Sequence, residues 1–306
     1  MKVDKNYFPG FTRKAMTFTN DDGNIPLDKK FIAIVKPRGF KGTFNLCAPR
    51  ADMTAEEYRA IYDGFGIANH CALHPFVYLE GQEPQISDEP FCDTADGSML
   101  YRTDEDGLYR KKTQSGWWSH TARAEKYIEL VERAQAALEA IFGQGRIKGF
   151  VWPYREQSSD EVKKYLRGRF SSVRRTGTLK DSTGFSMPED RYSWSYHAVH
   201  TCLSEVGRLY LEYPDDGELK FFAFGLHSHD YENGKCWNVL EDFVKEFGGR
   251  SEFYYSDVDD IFEYEDAVKA LEITDELIIN RSKKDLYVKV DGEPVIIPAG
   301  EAFNVK

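Results

Sequence analysis

Asp21-Asp22 closes an apolar run near the start of the chain, and His70-Cys71-Ala72-Leu73-His74 lies further along. Together the two segments offer two carboxylates and two imidazoles. A borderline-soft divalent ion such as Zn²⁺ prefers that donor set, and one group is left over to move a proton. His70 and His74 are four residues apart, so they share a face if the segment is helical, and two imidazoles at that spacing can reach one ion. Asp-Asp-Gly is also an ordinary turn sequence. The weight therefore rests on the combination, which points to a hydrolase.

These residues need a frame that brings distant segments together. Residues 15–20 read as a strand running straight into Asp21-Asp22-Gly23, and 40–47 as a second strand. Gly66–Asn69 reads as a short strand that delivers the histidine pair. Helical spacing covers 26–38, and Thr54-x-x-Glu57 is a capping-box signature for a helix over 54–63. An acidic, Gly-containing stretch makes about 80–120 a long surface insertion.

Beyond it, 122–142 is the longest amphipathic helix, ending at Gly143. The alternation continues as strand 147–152, helix 159–166, strand 170–175, helix 198–212 and strand 219–226. Helix Trp237–Phe247, strand 252–255 and helix 258–271, with Asp257 as its N-cap, complete the pattern. Strands separated by helical segments imply parallel βαβ units, and about seven of them favour a barrel over an open sheet. A Rossmann fold would need a Gly-rich first turn that is missing here. In such a barrel, catalytic groups sit at the carboxyl ends of strands. Asp21-Asp22, His70, Pro153-Tyr154, Arg175 and His227 all fall at such ends in this assignment. Short β segments with turns at Asp291-Gly292 and Pro298-Ala299-Gly300 make 276–306 a small β appendage beside a barrel of 1–275.

Composition limits the partners. The chain has 306 residues, 41% hydrophobic and 30% charged, enough for one large α/β domain with a buried core. A net charge of −11 argues against nucleic acid or an anionic membrane as the main partner, because both demand a basic face. No apolar run reaches membrane-spanning length, and the N-terminus lacks a signal-peptide segment. Five widely spaced cysteines without a Cys-x-x-Cys pair suggest reduced thiols, so the expected compartment is the cytoplasm. The letters are silent on oligomeric state.

The segments Thr17–Gly23 (TFTNDDG), Gly39–Phe44 (GFKGTF) and Ala68–Pro75 (ANHCALHP) resemble, in order and separation, the polysaccharide deacetylases of the NodB homology type, carbohydrate esterase family 4. The similarity extends over roughly 14–272. It implies an α/β fold, a distorted (β/α)7 barrel, with one divalent metal ion held by Asp22, His70 and His74 and with Asp21 as catalytic base. Zn is the first expectation for the ion, with Co, Mn or Ni as others. Trp152-Pro153-Tyr154 falls where the family has an Arg-Pro-Pro-Tyr type of motif, and Leu226-His227 where a Leu-His pair supplies the general acid.

Two departures matter. Cys71 stands where the family often has Ser or Thr, and no Arg precedes Pro153. The Arg that usually braces the base must come from elsewhere, and Arg175 is the candidate. His229, two residues after His227, is a second candidate acid or a substrate-binding residue. Trp152, Pro153, Tyr154 and Trp118 are the candidate substrate-binding groups, with core packing as the competing reading for each aromatic. His120, His197 and His200 read as ordinary loop or helix histidines, and Cys71 as a packing residue. The expected activity is removal of acetyl groups from an acetylated, preferentially N-acetylated, sugar by a metal-activated water, with Asp21 as base and His227 as acid. A related hydrolase of a non-sugar amide or formamide, or a catalytically silent sugar-binding protein, are the alternatives.

Overall fold

Polar and apolar residues alternate along the strand Lys14–Asp21, and that alternation organises the molecule. The computed structural model describes residues 2–77, 85–86, 99–102, 108–112, 118–156, 159–176 and 184–305. Strand β1 is Val3–Tyr7 and β2 is Lys14–Asp21, followed by helix α1, Ile25–Val35. Next come β3 (Thr43–Leu46), α2 (Ala55–Ile61) and β4 (Gly66–Asn69). The Thr54–Glu57 capping box expected for α2 is present in both directions.

Strands β5 (Phe76–Val77), β6 (Gln85–Ile86), β7 (Met99–Arg102), β8 (Leu108–Lys112) and β9 (Trp118–Ala122) form a separate sheet in the expected insertion. Helix α3 is Ala124–Phe142, β10 is Gly149–Val151, α4 is Asp160–Arg169 and β11 is Ser172–Arg174. Helix α5 (Leu203–Glu212), β12 (Lys220–His227), α6 (Ser228–Asn233), α7 (Trp237–Phe247), β13 (Phe253–Tyr255) and α8 (Val258–Lys269) follow. Asp257 caps α8 as expected, its side chain accepting from the Asp260 amide. No helix among the described residues is long and apolar enough to cross a membrane.

The main sheet runs β11-β10-β4-β3-β2-β12, all parallel, and β13 joins it beside the first residues of β2. It curls into an incomplete barrel, as the distorted (β/α)7 expectation requires. Between β11 and β12 an irregular stretch stands in for a strand: Trp194 bridges to Arg174 and Ala198 to Phe224. Because side chains alternate across a strand, Met16 and Phe18 of β2 and Phe44 of β3 face the helices, where they pack with Phe31 and Phe224. Thr19, Asp21 and Asn45 face inward and bond to one another. Gly42 is needed at the start of β3, because a Cβ there would lie 2.5 Å from the Phe18 ring.

The end of the chain adds β14 (Glu272–Ile273), β15 (Leu277–Ile279), β16 (Leu286–Val290), β17 (Glu293–Ile297) and β18 (Ala302–Asn304). Asp291 and Gly292 both take positive φ, 50° and 93°, and turn the β16–β17 hairpin as expected. The strand at the very start of the chain was not foreseen. β1 pairs antiparallel with β16, so N-terminal residues complete a sheet otherwise built from the tail. Val-Asp-Lys-Asn-Tyr has little strand character of its own, and its partner is remote in sequence. Ile278, Leu286, Val288 and Ile297 of the tail share a core with Phe221 and with Ile261 and Phe262 of α8.

Behind the inner ring, Asp28 of α1 is fully buried and accepts hydrogen bonds from Asn20 (2.9 Å), Ser228 (2.6 Å) and Tyr62 (2.8 Å). Burial pushes its carboxyl up to about 6 despite these donors. A native pKa above the unfolded value of about 3.9 means stability present at low pH is lost as pH rises through about 6. Asp28→Asn is expected to remove that slope, worth on the order of 3 kcal/mol between pH 4 and 7, in urea unfolding. Equal pH dependence in parent and variant would refute the assignment.

Candidate metal centre and active site

Asp21 is the last residue of β2, and Asp22 then takes a left-handed backbone, φ 76°, with Gly23 at φ 70°. Asp is among the few L-residues that adopt this conformation readily. The turn separates the two carboxylates: Asp21 stays on the inner face, and Asp22 swings toward the histidines. Asp22 Oδ1 lies 3.4 Å from His70 Nε2 and 3.5 Å from His74 Nε2.

His70 follows β4, its amide bonded to Leu46 O at 2.9 Å. The segment to His74 is not a helix. Cys71, Leu73 and His74 all have positive φ (59°, 64°, 49°), and the chain folds back so that the two Nε2 atoms stand 3.1 Å apart. The imidazoles converge as expected, by a tight left-handed loop in place of a helical face. Asn69 Oδ1 accepts from the Cys71 amide at 2.8 Å and helps hold the loop.

These donors fit a divalent ion. His70 Nδ1 is 2.9 Å from the Val151 carbonyl, which fixes the ring proton on Nδ1 and leaves the Nε2 lone pair facing Asp22. Burial pushes His74 down to about 4, so its ring is neutral near pH 7 and has a lone pair to give. Burial favours a protonated Asp22, but the contact with His70 and the charge of His227 hold the carboxyl well below the usual range. Among the described residues its buried Oδ1 meets no hydrogen-bond partner. Donors about 2.1 Å from a tetrahedral ion stand about 3.4 Å from one another, close to the 3.1, 3.4 and 3.5 Å found.

Arg174, not Arg175, braces Asp21. Its Nη2 lies 2.5 Å from both Asp21 oxygens, and Asn45 Nδ2 donates to Oδ1 at 2.6 Å. Arg175 turns away, its Nε donating to the Ser193 carbonyl at 2.9 Å. The reason is strand alternation: Val173 packs outward with the α3 and α4 helices, so Arg174 must point inward and Arg175 follows the end of β11. Burial opposes ionisation of Asp21, yet the Arg174 guanidinium and the nearby imidazoles keep its carboxyl below the ordinary value.

Register places His227 beside this group, since His227 of β12 pairs with Asp21 of β2. Its Nε2 is 4.0 Å from Asp21 Oδ2 and 3.9 Å from Asp22 Oδ2, while Nδ1 meets Asp230 Oδ2 at 3.0 Å. Burial works against the imidazolium, but Asp230, Asp21 and Asp22 push His227 up to about 9. His229 stacks on it at 4.6 Å between ring centroids and points Nδ1 toward Asp22 at 3.9 Å.

The third motif divides. Tyr154, at φ 61°, is 39% exposed, stacks on Phe76 at 3.9 Å and meets His74 edge-on at 4.4 Å. Trp152 is buried against Tyr127 and Phe150, so it is a core residue and not a substrate-binding one. Pro153 is buried as well. The side chain of Trp118, and all of Trp117, lie outside the described residues. His120 Nδ1 meets the Leu73 carbonyl at 3.3 Å, beside the loop but not among the converging donors. His197 is a core histidine, accepting from the Ala223 amide. Asn45, Arg174 and Asp230 were not foreseen. The apolar Val173 carried a usable signal for Arg174, whereas Asn45 and Asp230 had none beyond their polarity.

The sequence matches the family model described as polysaccharide deacetylase over residues 10–167, a span that contains both aspartates and both histidines of the centre. The chain belongs to the polysaccharide deacetylase family. The resemblance to carbohydrate esterase family 4 therefore stands. Among solved structures, a Mycobacterium smegmatis protein assigned as a polysaccharide deacetylase is 14% identical with a TM-score of 0.54, covering 88% of this chain and 96% of that one. It shares the fold of this family member. Also similar are the peptidoglycan deacetylase PdaC from Bacillus subtilis (13% identity, TM-score 0.46, 84% and 94% covered) and the Xyl-CE4 domain of a multidomain xylanase from the hindgut metagenome of Trinervitermes trinervoides (13%, 0.45, 84% and 92%). No curated protein matches this deacetylase-family sequence.

Asp22→Ala and His74→Ala are expected to lower bound divalent metal at least tenfold after dialysis, whereas Asp21→Asn keeps it. Elemental analysis finding full metal in the first two variants would remove those residues from the centre.

Proposed function

We propose that the protein is a metal-dependent hydrolase that removes acetyl groups from an acetylated sugar, with N-acetyl groups preferred, and that Asp22, His70 and His74 hold its single resident ion, Zn²⁺ in the first instance. One observation carries the reading. A buried carboxylate that stays ionised, Asp21, stands on one side of the Asp22–His70–His74 donors, and an imidazole that stays protonated, His227, stands 4.0 Å from it. An ion held there would polarise the acetyl carbonyl and lower the pKa of a water molecule.

Asp21 is the base. Arg174 donates to both of its oxygens and Asn45 adds a second donor on Oδ1, holding the carboxylate in a single orientation, so a proton is taken without prior rearrangement. His227 is the acid. Asp230 binds Nδ1, which leaves Nε2–H aimed into the site, where it donates to the departing nitrogen or oxygen of the sugar. Main-chain N–H groups around Tyr154 steady the oxyanion, and the exposed Tyr154 ring, propped by Phe76, offers a flat face to a sugar ring. A silent sugar-binding protein would need neither a second carboxylate beside its ion donors nor a buried arginine to position it. The substrate is an acetylated oligosaccharide or polysaccharide. A cytoplasmic location, suggested by the reduced cysteines, favours a small glycan.

The test is acetate release from N-acetylglucosamine oligomers and from acetylated xylo-oligosaccharides. Asp21→Asn and Arg174→Met are expected to lower kcat by a factor of about 10² or more, and Arg175→Ala to change it less than about threefold. Binding without turnover of either substrate would replace this reading. Asp230 stabilises the His227 imidazolium, so Asp230→Asn lowers the acid's pKa. The alkaline limb of kcat should then begin at lower pH than in the parent. An unmoved limb would take His227 out of the acid role.

A further inference from the structure

Asp22 has two oxygens, and Oδ1 is the one nearer His70 and His74. Oδ2 faces a different pair: His227 Nε2 at 3.9 Å and His229 Nδ1 at 3.9 Å. Asp22, His227 and His229 can each present a donor atom within 4.8 Å of the others, a second convergent set sharing one carboxylate with the first. The same residue stands behind both imidazoles, hydrogen-bonded to that of His227 and near that of His229. Asp230 Oδ2 meets His227 Nδ1 at 3.0 Å, and Asp230 Oδ1 lies 3.7 Å from His229 Nε2. A carboxylate on the far nitrogen of each ring, with the near nitrogen facing a shared acceptor, is the arrangement that orients histidines on metals. We propose that Asp22 Oδ2, His227 Nε2 and His229 Nδ1 form a second, weaker site for a divalent cation, with Asp22 bridging it to the first.

The geometry allows this with small movements. Donors about 2.1 Å from a tetrahedral ion stand about 3.4 Å apart, so each histidine must close by roughly 0.5 Å, and both rings are about one-third exposed and have room to turn. Two cations bridged by one carboxylate stand about 3.5–4 Å apart in known two-metal sites. The second site is the weaker because it borrows its only carboxylate and because an ion on His227 Nε2 displaces the proton there, which leaves to solvent. Ion and proton exclude each other at that atom. Excess metal therefore takes the proposed acid out of use, which makes the second position inhibitory. The inference draws on the proposed first centre only through Asp22.

Equilibrium dialysis of the full chain against Zn²⁺, read by elemental analysis, tests it. The parent is expected to bind about two ions per chain, and His229→Asn and Asp230→Asn about one each at the same free Zn²⁺. His74→Ala, run alongside, reads the first centre separately. A parent that binds one ion, lost in His74→Ala and kept in His229→Asn, overturns the second site and leaves the first standing. Two ions in both the parent and His229→Asn also overturn it, since the second ion then sits elsewhere. No ion in any of them overturns both sites.

Discussion

A carboxylate buried at the carboxyl ends of the barrel strands is costly unless its charge is answered, and here Arg174 answers Asp21 from across the sheet. Both side chains are buried, at 8% and 1% exposure, so removing either would strand the other charge in a poor dielectric. The pair forms only if β11 and β2 hold their register through β10, β4 and β3. A slip of one residue in β11 would turn Arg174 outward and bring Val173 in. The Asp21 charge thus ties the proposed base to the register of the sheet, and the irregular stretch at Trp194–Ala198 helps by tying β11 to β12, which carries His227.

Around that pair the two neighbouring carboxylates take opposite roles for local reasons. Asp21 is the last residue with strand geometry and inherits an inward direction. Asp22 is the first residue beyond it, and its left-handed backbone sends the side chain toward His70 and His74. The same device recurs in the histidine loop, where positive φ at three residues folds His74 back onto His70. Strain of this kind persists only when surrounding contacts over-determine the backbone, and it concentrates where function requires it.

Much of the fold was legible because local signals agreed with the final structure. The capping box at Thr54 and the cap at Asp257 are formed as read, and α7 spans the residues expected. The Asp291-Gly292 hairpin and the parallel order of the barrel strands also follow from turn chemistry and alternation. β1 escaped because an edge strand of polar composition pairs with residues near the other end of the chain. Trp152 misled for a similar reason. An aromatic beside a Pro in a motif position looks the same whether it faces substrate or Tyr127, and only packing distinguishes them.

By itself the sequence singled out the residues of the proposed centre: the candidate donors Asp22, His70 and His74 and the neighbouring Asp21 are legible from type, order and family resemblance, and so is the strand that ends in His227. Tertiary structure decided which groups serve them. Arg174 rather than Arg175, Asn45 under Asp21 and Asp230 behind His227 follow from strand phase and cross-sheet distance. Neighbours across a barrel are set by register between remote segments, and no local pattern encodes that register.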